Sequence, residues 1–411
     1  MNKVLGIVSE YNPFHNGHLL HLAQSKKLTK SNYSVCIMTG NFSQRGDTSL
    51  VDKWTKAEMA IKNGIDLVIE LPTIYSISSA ENFADGAIKI LENLGIINYL
   101  SFGSEIGDIN ILDEISEVLY QEPKEFTDLL AMELDRGISF PKARENALKL
   151  FLNNTRRYSN VLSNPNNILG IEYLKALKKY NSNIIPITIK RDTVEYNSLK
   201  PSSDGIASAT AIRNLIQRKR KFHRTVPFET YEILEDRIKY GKIVPGLYKF
   251  EKEIIYLLRK MSLEEIAKIP DVSEGLENKI QLAAYNCNNL DDLILSIKSK
   301  RYTETRIRRI LLYVLLEINK KDMDISKKVI PYIRVLGFNS AGKQLLSNIA
   351  EANPRLNIIV SVKRFMETNP DKNLLSMLEK DIFATNVYTL GFEYESKANL
   401  DYTKKVIEIK S

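Results

Sequence analysis

The sequence predicts an α/β fold, with a parallel, doubly wound sheet followed by a mostly helical C-terminal domain. In the first part of the chain, short apolar runs alternate with amphipathic segments, and a polar loop follows each apolar run. Strands and helices that alternate at this spacing form a parallel sheet covered by helices on both faces. The length of 411 residues exceeds that of a typical single domain, which indicates two domains or more.

The elements of the first domain follow in order. A strand over residues 4–8 ends before Asn12-Pro13, and Gly17 opens the first amphipathic helix. Residues 108–180 are mostly helical, with a break at 163–167, and we interpret them as an insertion into a first domain that ends near Arg224. Further strands are predicted over residues 33–38, 66–71, 99–102 and 184–189, and further helices over residues 53–62, 80–94 and from 208 onward.

The second domain, residues 225–411, is predicted to be mostly helical. Residues 357–362 and 386–390 match short strands, although periodicity does not separate a strand from a buried helix at that length. The helices are expected over residues 251–259, 263–268, 274–285, 290–297, 305–318 and 341–350.

Composition bounds the class of protein. No apolar run approaches the roughly 20 residues that span a bilayer, and no signal-type segment begins the chain, so we expect a cytoplasmic protein without a membrane partner. Cys36 and Cys287 lie far apart, without the spacing of a zinc site or a disulfide framework, and we expect buried thiols. The formal net charge of +8 suggests a polyanionic partner.

The chemistry is expected at the carboxyl end of the first strand. Ligands of open parallel sheets bind beyond the carboxyl ends of the strands, where His15-Asn-Gly-His18 lies. The spacing puts two imidazoles on one face of the helix start, Gly17 lets the backbone approach a ligand, and the helix N-terminus attracts anions. Neutral or protonated imidazoles there donate hydrogen bonds to phosphates as pyrophosphate leaves, which is an electrostatic role.

Two motifs resemble those of a known superfamily. His15-Asn-Gly-His18 after the first strand resembles the HxGH signature of the Rossmann-like nucleotidyltransferases and class I aminoacyl-tRNA synthetases. Ser208-Ala-Thr210-Ala-Ile-Arg213 resembles their second motif, which holds the ATP phosphates, with Ala where a second Ser is common. The resemblance implies that residues 1–224 form an ATP-binding catalytic domain with a fold of the HIGH nucleotidyltransferase type.

Longer strings resemble one family, the bacterial tRNA(Met) cytidine acetate ligases, over essentially the whole chain. They are Glu10-Tyr-Asn-Pro-Phe-His-Asn-Gly-His18, Gly40-Asn-Phe-Ser-Gln-Arg-Gly46, Asp52-Lys-Trp54, Phe102-Gly-Ser-Glu105, Pro165-Asn-Asn-Ile-Leu-Gly-Ile-Glu172 and Lys300-Arg-Tyr-Thr-Glu-Thr-Arg306-Ile-Arg-Arg309. The resemblance implies that acetate and ATP form acetyl-adenylate, and that the wobble cytidine of elongator tRNA(Met) then takes the acetyl group. It implies ATP and acetate as substrates and no DNA partner.

The resemblance also implies site residues. His15 and His18 are expected to be catalytic. The ATP contacts fall on Ile7, Val8, Ser9, Glu10, Tyr11, Asn12, Pro13, Phe14, His15, Asn16, Gly17, His18, Leu19, Leu20, Gly103, Arg191 and the Asn166-Asn167 pair, and the second motif adds Ser208, Thr210 and Arg213. Arg45, in the loop after the second strand, is a candidate for steering acetate. Mg²⁺ is expected with the ATP, but no carboxylate cluster at metal-ligand spacing indicates a protein-held metal.

Two basic segments favour RNA as the polyanion. One covers residues 213–224. The other is expected to bind tRNA through Lys298, Lys300, Arg301, Arg306, Arg308 and Arg309. A helix dipole disfavours cations at an N-terminus, so the arginines near the helix start at 305 suggest an external anion, and Tyr302 can stack an unpaired base.

Other interpretations remain open. An adenylyltransferase that joins AMP to a small phosphorylated metabolite shares the HxGH motif but needs little beyond the sheet domain. A non-catalytic RNA-binding protein on the same scaffold also fits the basic segments, which otherwise are solvated faces. His21 is either part of the site or a helix-face residue, Arg45 either contacts acetate or pairs with Asp47 or Asp52, and Trp54 and Phe42 are packing residues more often than ligand contacts.

Overall fold

The computed structural model describes residues 3–138, 140–153, 157–158, 160–191 and 206–410. Its strands are β1 (Val4–Ser9), β2 (Tyr33–Thr39), β3 (Phe42–Ser43), β4 (Asp47–Thr48), β5 (Leu67–Leu71), β6 (Tyr99–Ser104), β7 (Ile185–Lys190), β8 (Ile333–Asn339), β9 (Ile358–Ile359) and β10 (Ile407–Ile409). Its helices are α1 (Asn16–Thr29), α2 (Lys53–Lys62), α3 (Thr73–Ser76), α4 (Ala80–Asn93), α5 (Ile109–Gln121), α6 (Lys124–Asp135), α7 (Phe140–Phe151), α8 (Pro165–Lys179), α9 (Ala209–Gln217), α10 (Phe228–Lys239), α11 (Glu251–Lys260), α12 (Leu263–Ala267), α13 (Leu276–Asn286), α14 (Leu290–Ile297), α15 (Glu304–Leu315), α16 (Lys320–Lys328), α17 (Ser340–Ala352), α18 (Val362–Thr368), α19 (Lys372–Thr389) and α20 (Leu400–Thr403).

A single large sheet organises the protein. Its strand order is β10-β8-β5-β2-β1-β6-β7, and β9 also pairs with β8. The strands are parallel except where β8 runs antiparallel to β5. The chain passes from β1 to β2 on one side and later returns to β6 on the other, so the crevice beyond β1 and β6 is the expected ligand site. The predicted doubly wound α/β fold is confirmed.

Alternating side chains explain why both faces of the sheet are covered. In β2, Val35 and Ile37 belong to one buried apolar cluster, while Cys36 and Met38 belong to another. Both sets are fully buried, as expected for a parallel strand between two layers of helices. Helices α4, α5 and α8 pack together on one side of the sheet, and α2 and α9 contribute to the cluster on the other.

The C-terminal part departs from the sequence prediction. It is mostly helical as expected, yet it supplies β8, β9 and β10 to the sheet. The predicted strand at 357–362 contains β9, whereas the strand predicted at 386–390 is wrong, because those residues lie at the end of α19 and the turn that follows. The strand β8 is absent from the sequence prediction. The division at residue 224 remains a prediction about function, since the sheet draws strands from both parts.

A buried ionic cluster fixes β8 to the first part of the chain. Lys53 Nζ lies 2.9 Å from Glu70 Oε1 and 2.8 Å from Asp401 Oδ1. Arg334 lies 2.7 Å from Asp401 and 3.6 Å from Glu70. All four side chains are at most 4% exposed. Two cations and two carboxylates compensate one another, which a buried charge requires.

Two further expectations are tested by the fold. Cys36 and Cys287 are both buried and free, as predicted. Within the described ranges, no helix combines the length and the apolar character needed to cross a membrane.

Candidate nucleotide-binding site

The two histidines of the HxGH motif cap the start of α1. The Gly17 backbone N–H donates to His15 Nδ1 at 3.1 Å, and the His15 backbone N–H donates to His18 Nδ1 at 3.3 Å. Each Nδ1 therefore accepts a hydrogen bond, so a neutral ring carries its hydrogen on Nε2. The rings stack with their centroids 3.7 Å apart. The backbone thus fixes the tautomer of both rings and leaves two Nε2–H donors side by side.

The pKa values of these histidines favour the neutral form. Burial, followed by the nearby charge of Arg191, lowers the pKa of His15 to about 3. Burial, followed by the charges of His15 and Arg191, holds the pKa of His18 well below its usual range. The sequence left neutral and protonated imidazoles open. At neutral pH the structure selects neutral rings, which act as oriented hydrogen-bond donors rather than as cations.

The chain before the helix forms a packed floor. Ile7, Tyr11 and Phe14 are at most 2% exposed, and the Tyr11 ring packs edge-on against His18 at 4.8 Å. Asn12 donates through Nδ2 to Thr48 O at 3.0 Å and accepts from Leu50 N–H at 2.7 Å. These side chains therefore shape and orient the motif from within the core.

The other residues predicted around the motif are more accessible, with the exception of Pro13. Val8, Ser9, Glu10, Asn16 and Gly17 are partly buried, Leu19 and Leu20 are exposed, and Pro13 is buried. A Cβ on Gly17 would lie 2.9 Å from His15 Cε1. Any side chain at this position would push against the first imidazole, which explains the glycine.

A buried lysine beneath the motif was missed by sequence reasoning. Lys56 Nζ donates to Glu10 O at 2.8 Å, and to the hydroxyls of Thr39 and Ser49 at 3.1 Å. Burial lowers the pKa of Lys56 to about 7. Lys56 ties the end of β1 to the end of β2 and so fixes the backbone that leads into the motif. The only sequence signal was its position one helical turn after Lys53, which is also buried in α2.

Gly103 and Arg191 come together at the ends of β6 and β7. The Arg191 N–H donates to Ser104 O at 2.9 Å. A Cβ on Gly103 would lie 3.0 Å from Arg191 Cγ and Cδ, so the glycine makes room for this side chain. The exposed guanidinium acts electrostatically on His15 and His18. The structure therefore places four predicted residues around one crevice.

Glu105 separates the roles of the two asparagines. Asn167 is 1% exposed, its Oδ1 accepts from the N–H groups of Glu105 and Ile106, and its Nδ2 donates to Val161 O. Asn166 is partly buried and donates through Nδ2 to Glu105 Oε1 at 2.6 Å. Both side-chain atoms of Asn167 are occupied in joining β6 to α8. Asn166 is the asparagine with an accessible side chain.

The second motif begins α9 beside the first. Ser208 caps the helix by accepting from Ala211 N–H at 3.1 Å. Arg213 donates to Asn12 O at 2.9 Å and to Thr210 Oγ1 at 3.3 Å. Arg213 therefore joins α9 to the loop that precedes the histidines, and the two helix starts form one site.

The structure also shows the surroundings of four residues whose roles the sequence left open. His21 Nε2 lies 3.1 Å from Ser101 Oγ, and burial lowers the pKa of His21 to about 4, so this ring connects α1 to β6. Trp54 and Phe42 are at most 3% exposed, as packing residues. Arg45 is partly buried in the loop after β2.

The carboxylates considered for Arg45 have other partners. Asp47 accepts from Leu247 N–H at 2.8 Å, and Asp52 accepts from Thr55 N–H at 2.9 Å.

The basic segment around α15 is largely paired within the protein. We call Lys298, Lys300, Arg301, Arg306, Arg308 and Arg309 the α15 basic cluster. Arg306 donates to Asp271 O at 2.7 Å, and Arg309 lies 2.8 Å from Asp271 Oδ2. Lys298 and Arg308 each bind Glu304 at 3.0 Å. Arg306 therefore contacts a backbone carbonyl and Arg309 a carboxylate within the protein, and the tRNA contact predicted for these two arginines stays a prediction.

The α15 basic cluster nevertheless lies beside a loop of the sheet domain. Gly46 lies between β3 and β4 with φ +78°, and a Cβ there would lie 2.5 Å from Arg308 Cβ. Lys300 and Arg301 are exposed, and Arg301 pairs with Glu274 at 3.3 Å.

The fold and the paired motifs define a nucleotidyltransferase. The chain belongs to the HIGH Nucleotidyl Transferase family, whose model matches residues 1–403.

Close relatives bear one name, as the resemblance in the sequence implied. A protein of Thermoanaerobacter sp. (strain X514) named tRNA(Met) cytidine acetate ligase is 47% identical over 411 residues, covering 99% of this chain and 100% of its own. An Acetivibrio thermocellus protein of the same name is 42% identical, covering 98% and 99%. The crystal structure of apo Thermotoga maritima TmcAL superposes with a TM-score of 0.94 at 35% identity, and its form bound with alpha-thio ATP with 0.92 at 34%, each over 100% of both chains.

Proposed function

We propose that this protein is an ATP-dependent acetate ligase that acetylates the wobble cytidine of elongator tRNA(Met). A carboxylate oxygen of acetate attacks the α-phosphorus of ATP, and the bond to pyrophosphate breaks to leave acetyl-adenylate. The exocyclic amine of cytidine then attacks the acetyl carbonyl, loses a proton, and displaces AMP. Identity of 47% over the full length to proteins of that name supports the assignment.

The paired, neutral imidazoles are the observation that carries this proposal. A displacement at the α-phosphorus builds negative charge on the leaving pyrophosphate, and fixed N–H donors stabilise that charge without reorganising. His15 and His18 present Nε2–H groups because backbone N–H donors occupy each Nδ1. Arg191 and the N-terminus of α1 add positive potential. The site needs no protein nucleophile, since acetate itself is the nucleophile.

The other ATP contacts divide by accessibility. We assign the nucleotide contact of the asparagine pair to Asn166, because both side-chain atoms of Asn167 are occupied. Gly103 makes room for the Arg191 side chain at the end of β6, and we assign Ser208, Thr210 and Arg213 to the phosphates from α9. Within the described residues, no group of three or more His, Cys, Asp or Glu is placed to hold a metal ion. We propose that Mg²⁺ enters with the ATP phosphates as part of the substrate.

The α15 basic cluster remains a proposed contact of tRNA. Its exposed members, Lys298, Lys300 and Arg301, are the side chains that reach an RNA backbone from this surface, whereas Arg306 and Arg309 position α15. Because the proposed substrates are a tRNA and ATP, we assign the reaction to the cytoplasm.

Arg45 keeps its proposed part in steering acetate, because it lies in the loop where Gln44 N–H donates to Glu10 Oε1 at 2.8 Å.

Product formation tests the proposal directly. The purified protein is incubated with ATP, labelled acetate and elongator tRNA(Met), and the RNA is digested to nucleosides. We expect labelled acetylcytidine together with AMP and pyrophosphate. Product formed only with acetyl-CoA, or no product, would contradict the function.

The partial reaction separates the alternatives. Acetate-dependent exchange between ATP and pyrophosphate in the absence of tRNA is expected of the ligase. A binding protein shows no exchange, and an adenylyltransferase forms a dinucleotide from a phosphorylated metabolite instead.

A further inference from the structure

A second basic surface follows α9, and its side chains have no ionic partner among the described residues. We call Arg218, Lys219, Arg220, Lys221 and Arg224 the α9 basic loop. All five residues are exposed. Among the residues that the structure describes, none of the five side chains forms an ion pair or a hydrogen bond. Five uncompensated charges in so short a segment create a strongly positive local potential.

The backbone of this loop is ordered by internal hydrogen bonds. Lys219 N–H donates to Ile216 O at 2.9 Å, and Arg220 N–H donates to Leu215 O at 2.8 Å, which closes the end of α9. Phe222 is 5% exposed and packs against Tyr231 with ring centroids 5.2 Å apart. The cations are thus presented from a fixed platform, which reduces the ordering cost of binding.

The helix dipole accounts for only part of this charge. Cations are favoured at a helix C-terminus, and Arg218 and Lys219 directly follow the last residue of α9, Gln217. That effect falls off within one turn, so it does not explain Lys221 or Arg224. The remaining cations are therefore available to an anion from outside the described chain.

The α9 basic loop is continuous with the candidate site. Asn16 donates through Nδ2 to Arg224 O at 2.9 Å and through its backbone N–H to Thr225 O at 3.2 Å. Asn16 stands between His15 and Gly17 in the HxGH motif. An extended anion bound along this loop therefore meets the mouth of the nucleotide site.

We propose that the α9 basic loop binds the phosphodiester backbone of the RNA acceptor next to the reacting nucleotide. This inference rests on the proposed function, because it takes RNA as the acceptor. Contacts from arginine and lysine to phosphates supply affinity and register without reading sequence. The loop positions the acceptor at the site and does not choose which tRNA is bound.

A charge-removal variant tests this surface. We propose R218Q/K219Q/R220Q/K221Q, which leaves Phe222 and the backbone contacts of Arg224 in place. The Kd for elongator tRNA(Met) is expected to rise about 10- to 100-fold near physiological salt, and the slope of log affinity against log salt to become shallower by about 3. Acetate-dependent exchange between ATP and pyrophosphate should be unchanged, which also shows that the variant is folded.

A matched control removes the same charges elsewhere. R355Q/K363Q/R364Q/K372Q takes two arginines and two lysines, all exposed, from the region of β9 and α18. That region is separated from β1 by β2, β5 and β8 in the sheet. The control should change the Kd for tRNA less than about threefold, since distant surface charges are screened by salt.

The outcomes distinguish the possible ligands. Unchanged RNA affinity in the loop variant, or an equal loss in both variants, would overturn the proposal. An increase in the KM for ATP without a change in RNA affinity would overturn it in favour of polyphosphate binding. The binding measurement is independent of turnover. Acetylcytidine formation by the wild-type protein, measured in parallel, tests the proposed function separately.

Discussion

The α15 basic cluster and the α9 basic loop have similar compositions and opposite surroundings. In the α15 basic cluster, Asp271 binds two arginines and Glu304 binds a lysine and an arginine. In the α9 basic loop, the described chain places no carboxylate within ion-pair distance of the five cations. The difference shows that a count of basic residues does not identify an RNA-binding surface. The carboxylates that the fold brings to each segment decide what charge remains for a partner.

The two segments also meet different parts of the site. The α9 basic loop is hydrogen-bonded to Asn16 within the HxGH motif, whereas α15 packs on Gly46 in the hairpin after β2. We therefore expect the loop to bind RNA close to the reacting atoms, and the exposed members of the α15 basic cluster to make a smaller contribution to RNA affinity.

The largest expected effect separates catalysis from both basic segments. His18→Ala removes an Nε2–H donor and the Nδ1 that accepts from His15 N–H. Acetate-dependent exchange should fall at least about 100-fold, as expected for loss of a transition-state donor. The Kd for tRNA should stay nearly constant, because RNA affinity is assigned to the basic segments. Equal losses in exchange and in tRNA affinity would contradict that assignment.

The second prediction tests the structural role of α15. Arg309→Met leaves the partly buried Asp271 carboxylate without its ion-pair partner. We expect a loss of about 1–2 kcal/mol in the free energy of unfolding, measured by urea denaturation, with tRNA affinity unchanged. Arg301→Met is the matched control, because Arg301 is 69% exposed and its removal should not affect stability. A large loss of tRNA affinity in Arg309→Met with normal stability would reverse the comparison.

A smaller effect is expected from the exposed end of the same cluster. Lys300→Gln/Arg301→Gln removes two exposed charges that lie outside the core of the protein. The Kd for tRNA should rise about 2- to 5-fold, with a change in salt slope of about 1. An effect as large as that of the α9 variant would make the two surfaces equal contributors.

A change of pH is expected to have the smallest effect on RNA binding, although it should change the free energy of unfolding. Burial lowers the pKa of His15 to about 3 and that of His21 to about 4. Between these values and about pH 6.5 the unfolded chain binds protons at His15 and His21 that the folded chain does not, so the contribution of these two histidines to stability is full above pH 6.5 and is lost as the pH falls. Urea denaturation should therefore show a lower free energy of unfolding at pH 5 than at pH 7.

A histidine variant and an RNA titration complete this test. His21→Asn should reduce the acid-dependent loss of stability, because one lowered pKa is removed. RNA affinity is assigned to the basic segments rather than to the imidazoles, so tRNA affinity should remain constant. Affinity that follows the histidine titration would show that the imidazoles, rather than the basic segments, contact RNA.

Much of the fold and the centre of the site could be predicted from local patterns. The strands that residues 1–190 supply to the large sheet are apolar runs followed by polar loops, and the HxGH spacing marked the start of α1. The two-residue strands β3 and β4 lie in a stretch interpreted as a polar loop and were not predicted. β8 could not be found in this way, because an arginine interrupts its apolar run. Arg334 is buried there only because Glu70 and Asp401, which also bind Lys53, compensate its charge. The end of α19 was misinterpreted because a short apolar run fits a strand or a buried helix equally well.

The roles of single residues depended on distant parts of the chain. Sequence could not separate Asn166 from Asn167, because the distinction comes from Glu105 and the backbone of β6. It could not show that Arg306 and Arg309 are paired, because Asp271 lies more than thirty residues earlier. Lys56 was missed because a lysine in an amphipathic helix is normally exposed, and only the packed layer around α2 shows that it is not.

The buried cluster of Lys53, Glu70, Arg334 and Asp401 has a consequence for synthesis on the ribosome. Lys53 and Glu70 are made early, but their complete set of partners exists only once the chain has extended past Asp401. Until β8 is made, β5 has an unpaired edge, and until Asp401 is made, the buried charges lack full compensation. Nascent chains should therefore complete this cluster, and with it the packing of the sheet that holds the catalytic strands, only late in translation.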